Sequence, residues 1–284
     1  VSLSSGFQHT CAILSDGSVS CWGWNSKGQL GNGGFIDQLS PTQTSSLGAN
    51  RTAIAISSGQ YHTCVILDNG NVSCWGEGSD GQLTSAPSTQ STPLPISNMA
   101  AGRTVVGIST GAEGTCAILD NGTVSCWGSG WVGNGQTSIS KQTTPTPTSS
   151  FGPGRDVAVS ERDFDGDGVL NIFDRYPLIH SPGFQEASVY TKTTLSSGGA
   201  HTCAILDDGT VACWGDNMYG ELGNGGRVSK TTPTTVNNFG GGKKATAISS
   251  GGAHTCAILD SGEVSCWGWG SSGQLGNGGT SDKT

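Results

Sequence analysis

The feature that most constrains this chain is a short segment that occurs five times, each copy bracketed by two cysteines with nine residues between them. Every copy ends in Cys-Trp-Gly. The bracketing residues, which include every cysteine of the chain, are Cys11, Cys21, Cys64, Cys74, Cys116, Cys126, Cys203, Cys213, Cys256 and Cys266. A fixed internal period indicates a repeat architecture in which each unit is one supersecondary element.

Each copy has the pattern of a β-hairpin. The first runs from Cys11 through an apolar stretch to Ser15-Asp16-Gly17 and returns to Cys21. A three-residue loop with a left-handed glycine fits this turn chemistry. The loop places the two cysteines at a non-hydrogen-bonded pair, where Cα atoms lie about 4.5 Å apart. Because disulfides tolerate Cα separations of about 4.4–6.8 Å, we predict one disulfide in each hairpin.

Two other states of the cysteines remain open at this point. Zinc sites prefer cysteine pairs two to four residues apart, and these gaps are longer. Reduced cysteines can pack as small apolar side chains. The even count and regular pairing favour disulfides, which predict an extracellular or cell-surface location for a secreted protein. The chain opens on strand-like sequence with no signal peptide, as expected for the mature part of a secreted precursor or an excerpt of one.

The composition limits the classes of molecule that this chain is expected to bind. The chain of 284 residues carries a net charge of −8, a pI near 4.9 and only 12% charged residues. No cluster of lysine and arginine is present, which argues against nucleic acid and anionic lipid partners. No run approaches the roughly 20 apolar residues of a membrane span.

The spacing of the copies predicts propeller blades. The first cysteines of successive copies are 53, 52, 87 and 53 residues apart. A unit of about 52 residues suits a four-stranded blade. Each unit supplies an apolar strand such as residues 53–56, the two hairpin strands, a glycine-rich bend such as residues 28–33, and a Thr/Pro segment such as residues 143–147 for an exposed edge strand.

The pattern Gly-x-x-His-Thr-Cys-Ala-Ile-Leu-x-Asp-Gly-x-Val-x-Cys-Trp-Gly, followed by Gly-Gln-Leu-Gly-Asn-Gly, resembles the repeat of the regulator of chromosome condensation family. The resemblance implies an all-β fold, a β-propeller of four-stranded blades with the Val/Ile-rich strand innermost. The family commonly has seven blades, whereas this chain has five units. Its cytosolic members also lack the cysteine ladder.

We therefore predict a propeller of about five blades. Residues 1–160 form blades 1–3, residues 161–192 form an insertion, and residues 193–284 form blades 4–5. From Cys256 off the chain end and back to Cys11 there are 39 residues, about 14 fewer than one unit. Either the five blades close or nearly close the ring with one incomplete seam, which we expect, or the chain is a segment of something longer.

The insertion carries a calcium-loop pattern. Its predicted ligands are Asp163, Asp165, Asp167, the main-chain carbonyl of Val169, Asn171 and Asp174. Gly166 supplies the sharp turn that such loops need at the sixth position. The segment resembles a thrombospondin type 3 repeat, because it ends in aspartate and is followed by Arg-Tyr-Pro. We predict one structural Ca²⁺ rather than Mg²⁺, since many protein oxygens suit the larger ion; the alternative is a solvated acidic turn without an ion.

Recurring histidines and tryptophans are expected to be structural. His9, His62, His201 and His254 share one repeat position, and Gly114 replaces them in the third copy. Side chains that recur once per blade are expected to bond backbone between strands rather than to converge on a site. Five recurring tryptophans should pack between blades: Trp22, Trp75, Trp127, Trp214 and Trp267. The additional Trp24, Trp131 and Trp269 belong to the core, which we expect, or to an exposed patch for glycan or protein contact.

The sequence contains no nucleophile elbow, phosphate loop or paired catalytic carboxylates, so we predict no enzyme activity. The leading hypothesis is a non-catalytic extracellular propeller, a rigid disulfide-stapled module for structure, adhesion or protein interaction. Its partner would be protein or glycan at the cell exterior, and blade edges could join copies into a surface assembly or filament. The family resemblance also implies two alternatives, guanine-nucleotide exchange on a small GTPase and inhibition of a secreted enzyme.

Overall fold

The structure is a computed structural model that describes residues 2–84, 88–97, 99, 102–130, 132–136, 141–152, 155–157 and 194–284. The regular structure of these residues is entirely β, arranged in five antiparallel sheets. None of the described residues forms a helix that could cross a bilayer.

Each sheet is one blade, built from strands that are consecutive in sequence. Blade 1 contains β1 (Ser2–Ser5), β2 (His9–Ile13), β3 (Val19–Gly23) and β4 (Gln38–Gln43). Blade 2 contains β5 (Ala53–Ser58), β6 (His62–Leu67), β7 (Val72–Glu77) and β8 (Thr89–Pro95). Blade 3 contains β9 (Val105–Thr110), β10 (Gly114–Leu119), β11 (Val124–Gly128) and β12 (Gln142–Pro147).

The last two blades follow the same order. Blade 4 contains β13 (Leu195–Ser197), β14 (His201–Ile205), β15 (Val211–Gly215) and β16 (Lys230–Thr235). Blade 5 contains β17 (Ala245–Ser250), β18 (His254–Leu259) and β19 (Val264–Gly268). Lys283 bridges Gly268 at the place where Lys230 of β16 pairs with Gly215. The predicted all-β propeller with five blades is confirmed.

The hairpin between the second and third strands has the predicted loop. In blade 1 the amide of Leu14 donates to the carbonyl of Ser18 at 2.9 Å, and Gly17 closes the turn with φ of +76°. The glycines at this position in the other blades also have positive φ, between +76° and +82°. A residue with a Cβ is strained in that region, which explains why glycine recurs there.

The core lies between blades rather than inside a single one. In the layer between blades 1 and 2, the Cys11–Cys21 pair and Leu30 of blade 1 pack against Val65 and Trp75 of blade 2. Equivalent buried clusters fill the next three junctions. Each blade therefore depends on its neighbours to cover its faces, as in other repeat proteins.

The insertion occurs at a position of the blade where another blade has a β-bulge. In blade 2, Ala53 pairs with Leu67 and Ala55 pairs with Ile66, so Ile54 is unpaired. In blade 4, Val157 bridges Leu206, and the carbonyl of Thr194 accepts a hydrogen bond from the amide of Ile205. The chain therefore leaves blade 4 after Val157 and returns at Thr194, the positions that correspond to the two residues flanking Ile54 in blade 2. The predicted insertion 161–192 and its six calcium ligands lie outside the described residues.

The five blades form an arc that is open between blades 5 and 1. Leu3 is 65% exposed and Val264 is 66% exposed, whereas Val72, the counterpart of Val264 in blade 2, is buried. Trp22 of blade 1 is only partly buried, and the space above Gly276 of blade 5 is empty. The expectation that the ring closes or nearly closes was wrong for the described residues, because strands of blades 5 and 1 do not pack together as those of consecutive blades do.

Candidate interaction surfaces

The five predicted cysteine pairs are disulfides. In every blade the two Cα atoms are 4.1 Å apart, slightly closer than the value of about 4.5 Å expected for such pairs. The described residues contain no free cysteine. The cystines of blades 1 to 4 are buried, whereas Cys256 and Cys266 are partly exposed because no described blade covers that side of blade 5. The zinc and free-thiol alternatives are therefore excluded.

The recurring histidines join neighbouring blades. Nε2 of His9 lies 2.8 Å from Oγ1 of Thr63, and His62 and His201 make the same bond to Thr115 and Thr255. The prediction that these histidines bond backbone was wrong, because each Nε2 bonds a threonine side chain of the next blade. The repeat places a threonine directly after each histidine, which could have suggested a threonine partner. That the partner is the threonine of the next blade follows only from the three-dimensional arrangement.

The hydrogen-bond network fixes the state of these imidazoles. The hydroxyl of Thr63 donates to the carbonyl of Gln29 at 3.1 Å, so it accepts from the Nε2–H of His9. Nδ1 of His9 is then an unprotonated nitrogen, and it is buried without a partner. Burial lowers the pKa of His9 to about 4 and the pKa of His62 to about 3. These side chains are neutral structural groups and do not converge on one site.

The tryptophans of the Cys-Trp-Gly motif also seal the junctions, as predicted. Trp75, Trp127 and Trp267 are buried, and each indole N–H donates to a main-chain carbonyl in the bend of the preceding blade at 2.7–2.8 Å. Trp214 is equally buried, but its Nε1 has no partner among the described residues. Trp22 of blade 1 is only partly buried, because none of the described residues covers it as the bends cover the other tryptophans.

One end of the propeller, which we call the loop face, contains the turns between first and second strands and the bends between third and fourth strands. The two kinds of loop are hydrogen-bonded to each other, for example from the amide of Trp24 to the carbonyl of Gln8 at 2.8 Å. The opposite end, which we call the hairpin face, contains the Asp-Gly turns. The insertion begins and ends on the hairpin face, beside the turn of blade 4.

Buried asparagines hold two bends of the loop face rigid. Asn25 is fully buried, and its amide nitrogen donates to the carbonyls of Gly34 and Ile36 while its oxygen accepts from the amide of Leu30. Asn217 makes the equivalent bonds in blade 4, including one to the carbonyl of Val228. The backbone of both bends is therefore fixed from inside, independently of what the tips touch.

The tips of these braced bends present apolar side chains to solvent. Ile36 and Val228 occupy equivalent positions and are 77% and 71% exposed. Phe35 and Met218 are exposed beside them. Large apolar side chains held rigidly at the surface are typical of contact sites, because little conformational entropy is lost when a partner covers them.

Aromatic pairs extend the loop face. Trp24 packs edge-on against Tyr61 of blade 2 with ring centroids 5.2 Å apart, and the exposed Phe7 contacts the same tyrosine. Trp269 pairs with Tyr219 across blades 5 and 4 at 5.8 Å. Trp24 and Trp269 are thus surface aromatics, and the expectation that they belong to the core was wrong. Trp131 lies outside the described residues.

The charged groups of the described residues are distributed as isolated pairs. Arg51–Asp68 and Arg103–Asp120 link the entry to a blade with its Asp-Gly or Asn-Gly turn, at 3.0 and 3.5 Å. Within the part of the chain that the structure describes, no group of three His, Cys, Asp or Glu side chains could hold a metal ion. Pairs of this kind stabilise loops weakly and do not form a reaction site.

Comparisons with known families match the repeat. Two models of the regulator of chromosome condensation (RCC1) repeat match residues 16–66 and 208–258, and residues 1–29, 53–82, 193–221 and 245–274. Together they cover more than half of the chain.

Individual proteins match nearly the whole length of this chain. The chain is 30% identical over 282 residues to the ultraviolet-B receptor UVR8 of Arabidopsis thaliana, covering 99% of this chain and 56% of UVR8. It is 27% identical to the human E3 ubiquitin-protein ligase HERC2, covering 99% of this chain and 5% of HERC2. The crystal structure of human WBSCR16 superposes with a TM-score of 0.76 at 21% identity, covering 100% of this chain and 65% of that one. The chain thus spans about half or less of the length of these two sequence relatives.

Proposed function

Because this chain belongs to the regulator of chromosome condensation (RCC1) repeat family and carries a disulfide in each blade, we propose that it is a non-catalytic protein-interaction propeller that works outside the cell. The observation that carries the interaction role is the loop face, where buried asparagines brace bends whose apolar tips are exposed. The relatives that share the repeat are named as a receptor and as a ubiquitin ligase, so no common reaction is implied.

A crosslinking experiment tests the interaction role. A photoreactive amino acid placed at Ile36 or at Val228 should capture a partner when the protein is expressed in its own cells. The matched control places the same group at Asn69, on the exposed turn of the hairpin face. Capture from both faces alike, or from the control position alone, would contradict the assignment of the loop face.

The extracellular location is supported by the disulfides, because cytosolic thiols are normally kept reduced. Alkylation of protein taken directly from its own cells tests it. We expect no labelled thiols before reduction and ten labelled thiols after reduction and unfolding. Ten reactive thiols in the unreduced, unfolded protein would place it in a reducing compartment and remove this part of the proposal.

The adhesion and assembly parts of the proposal are supported by the open ends of the arc. Leu3 on blade 1 and Val264 on blade 5 expose apolar surface that consecutive blades cover elsewhere. Sedimentation of the purified chain should show concentration-dependent association. Replacing both residues by serine should abolish association, and an unchanged profile would show that copies do not join through these faces.

The insertion is proposed to hold one Ca²⁺. Its support is the sequence pattern of Asp163, Asp165, Asp167, Asn171 and Asp174 around Gly166. Proteolysis within residues 158–193 should become slower when Ca²⁺ is added. Replacing Asp165 and Asp167 by asparagine should remove the protection while leaving the thermal stability of the blades unchanged. A wild-type chain that Ca²⁺ fails to protect would refute the metal assignment.

Guanine-nucleotide exchange is the second candidate, and family membership is the observation in its favour. The disulfides count against it, since a small GTPase works in a reducing compartment. Release of a fluorescent guanine nucleotide from a panel of small GTPases separates the two proposals. We expect no acceleration by this chain, and a large acceleration would replace the interaction proposal.

A further inference from the structure

The junction between blades 3 and 4 lacks a side chain that three other junctions have. Those junctions contain a buried or nearly buried imidazole whose Nε2 bonds a threonine hydroxyl of the next blade. At the same place blade 3 has Gly114, while the next blade retains the matching Thr202. Half of the contact is therefore present and the imidazole is absent.

A cavity of about 60 Å³ lies at this junction. Its lining includes Gly111, Gly114, Trp127, Val132 and Thr202. A single water needs roughly 10–15 Å³ measured in this way, so the space is several waters large and matches a small ring. The glycines equivalent to Gly111 in blades 1, 2 and 4 are positions where a Cβ would overlap the imidazole, and Gly111 keeps the same space clear although no imidazole fills it.

The cavity also keeps its polar partner. Thr202 is 6% exposed and lines the cavity, and its hydroxyl donates to Oγ of Ser197 at 3.3 Å. Among the described residues no group donates to this hydroxyl oxygen, which can accept a hydrogen bond as Thr63 does from His9. The other walls combine apolar groups, among them Trp127 and Val132, with glycine backbone and the polar residues Glu113, Ser129 and His201.

We propose that this cavity binds a five-membered nitrogen heteroaromatic ring of the imidazole class, with its N–H donating to Oγ1 of Thr202. The ring could arrive as a free small molecule or as the histidine side chain of a partner peptide. The cavity lies on the loop face between blades 3 and 4, but its lining includes neither Ile36 nor Val228. The proposal therefore stands or falls separately from the contact role of those two bends.

Imidazole titration followed by amide chemical shifts tests the site. We expect saturable shifts at Gly111, Gly114 and Thr202 with a dissociation constant of about 1–10 mM, which is reasonable for a ligand of five heavy atoms. Gly114→His fills the cavity from within the chain and should weaken binding at least tenfold. A Cβ at this position meets only carbonyl oxygens at 3.4 and 3.5 Å, so the substitution is accommodated.

Two further variants calibrate the result. His62→Gly opens the equivalent space beside Thr115 and should add a second set of shifts there. Thr202→Val keeps the shape but removes the acceptor, and should weaken binding several-fold. Titration with N-acetylhistidine methylamide separates the two sources, because only a peptide-accessible site accepts it. Equal shifts in wild type and Gly114→His, or no shift at Thr202 up to 100 mM imidazole (on the order of ten times the expected constant), would overturn the proposal.

Discussion

At the scale of single residues, buried histidines determine how the fold responds to acid. Burial lowers the pKa of His9 and His201 to about 4 and the pKa of His62 to about 3. In the unfolded chain a histidine titrates near 6.5. Because the folded pKa values are depressed, their contribution to stability is complete above about pH 6.5 and is lost as the pH falls toward the folded values.

The first prediction concerns His62→Gln, which keeps a donor for Thr115 but has no proton to gain. The wild type should lose up to about 3 kcal/mol of unfolding free energy relative to this variant between pH 7 and pH 4. Urea denaturation at several pH values measures the difference. His254→Gln is the matched control, because His254 is only partly buried and has no threonine partner among the described residues. Parallel curves for wild type and His62→Gln would contradict the prediction.

A second residue-scale prediction concerns Glu221. Its side-chain oxygen accepts a bond from the amide of Tyr219 at 2.8 Å, as the side-chain oxygens of Gln29 and Gln82 do in their own bends. Burial raises the pKa of Glu221, so its charged form destabilises the fold as the pH rises through the folded pKa. Glu221→Gln should stabilise the protein by about 1 kcal/mol at pH 7 and by much less near pH 4.

The reverse substitution provides the control for Glu221. Gln82→Glu places a carboxyl group in the corresponding buried site of blade 2 and should lower the thermal midpoint at pH 7 more than at pH 4. If both substitutions shift the midpoint equally at the two pH values, the cause is packing rather than charge.

At the scale of elements, the tryptophan of the third strand links blades 2, 3 and 5 to the bend of the preceding blade. Trp75 donates to the carbonyl of Gln29 at 2.8 Å, whereas the buried Nε1 of Trp214 has no partner among the described residues. Both rings are fully buried, so replacement by phenylalanine leaves similar space at either site.

The third prediction compares Trp75 with Trp214. Trp75→Phe should cost about 1 kcal/mol more than Trp214→Phe, because among the described residues only the first substitution removes a hydrogen bond and leaves a carbonyl without its donor. Chemical denaturation of the two variants gives the comparison. Equal losses would mean that packing alone sets the contribution of these rings.

Sequence patterns predicted the strands and hairpins but not the contacts between blades. The turn around Gly17 fixed the register of the hairpin and therefore the Cys11–Cys21 pairing, because loop type and strand register are linked locally. The bond from His9 to Thr63 spans 54 residues and depends on how blades stack, which no local pattern encodes. The period located the insertion within a unit, but only strand pairing showed where the chain leaves blade 4 and where it returns.

At the scale of the whole molecule, the open arc makes the blades unequal. Blade 2 is covered on both sides, and Ile66 and Val72 are almost completely buried. The corresponding residues of blade 5, Ile258 and Val264, are 46% and 66% exposed. In a repeat protein each unit is stabilised mainly by its neighbours, so a unit with one neighbour opens more often than a unit with two.

The last prediction compares two amides that are otherwise matched. The amide of Leu67 donates to the carbonyl of Asn71, and the amide of Leu259 donates to the carbonyl of Glu263, both at 2.8 Å. Native-state hydrogen exchange should be at least about tenfold slower at Leu67, corresponding to a difference in opening free energy of about 1.4 kcal/mol. Equal protection would mean that the arc opens as one cooperative unit.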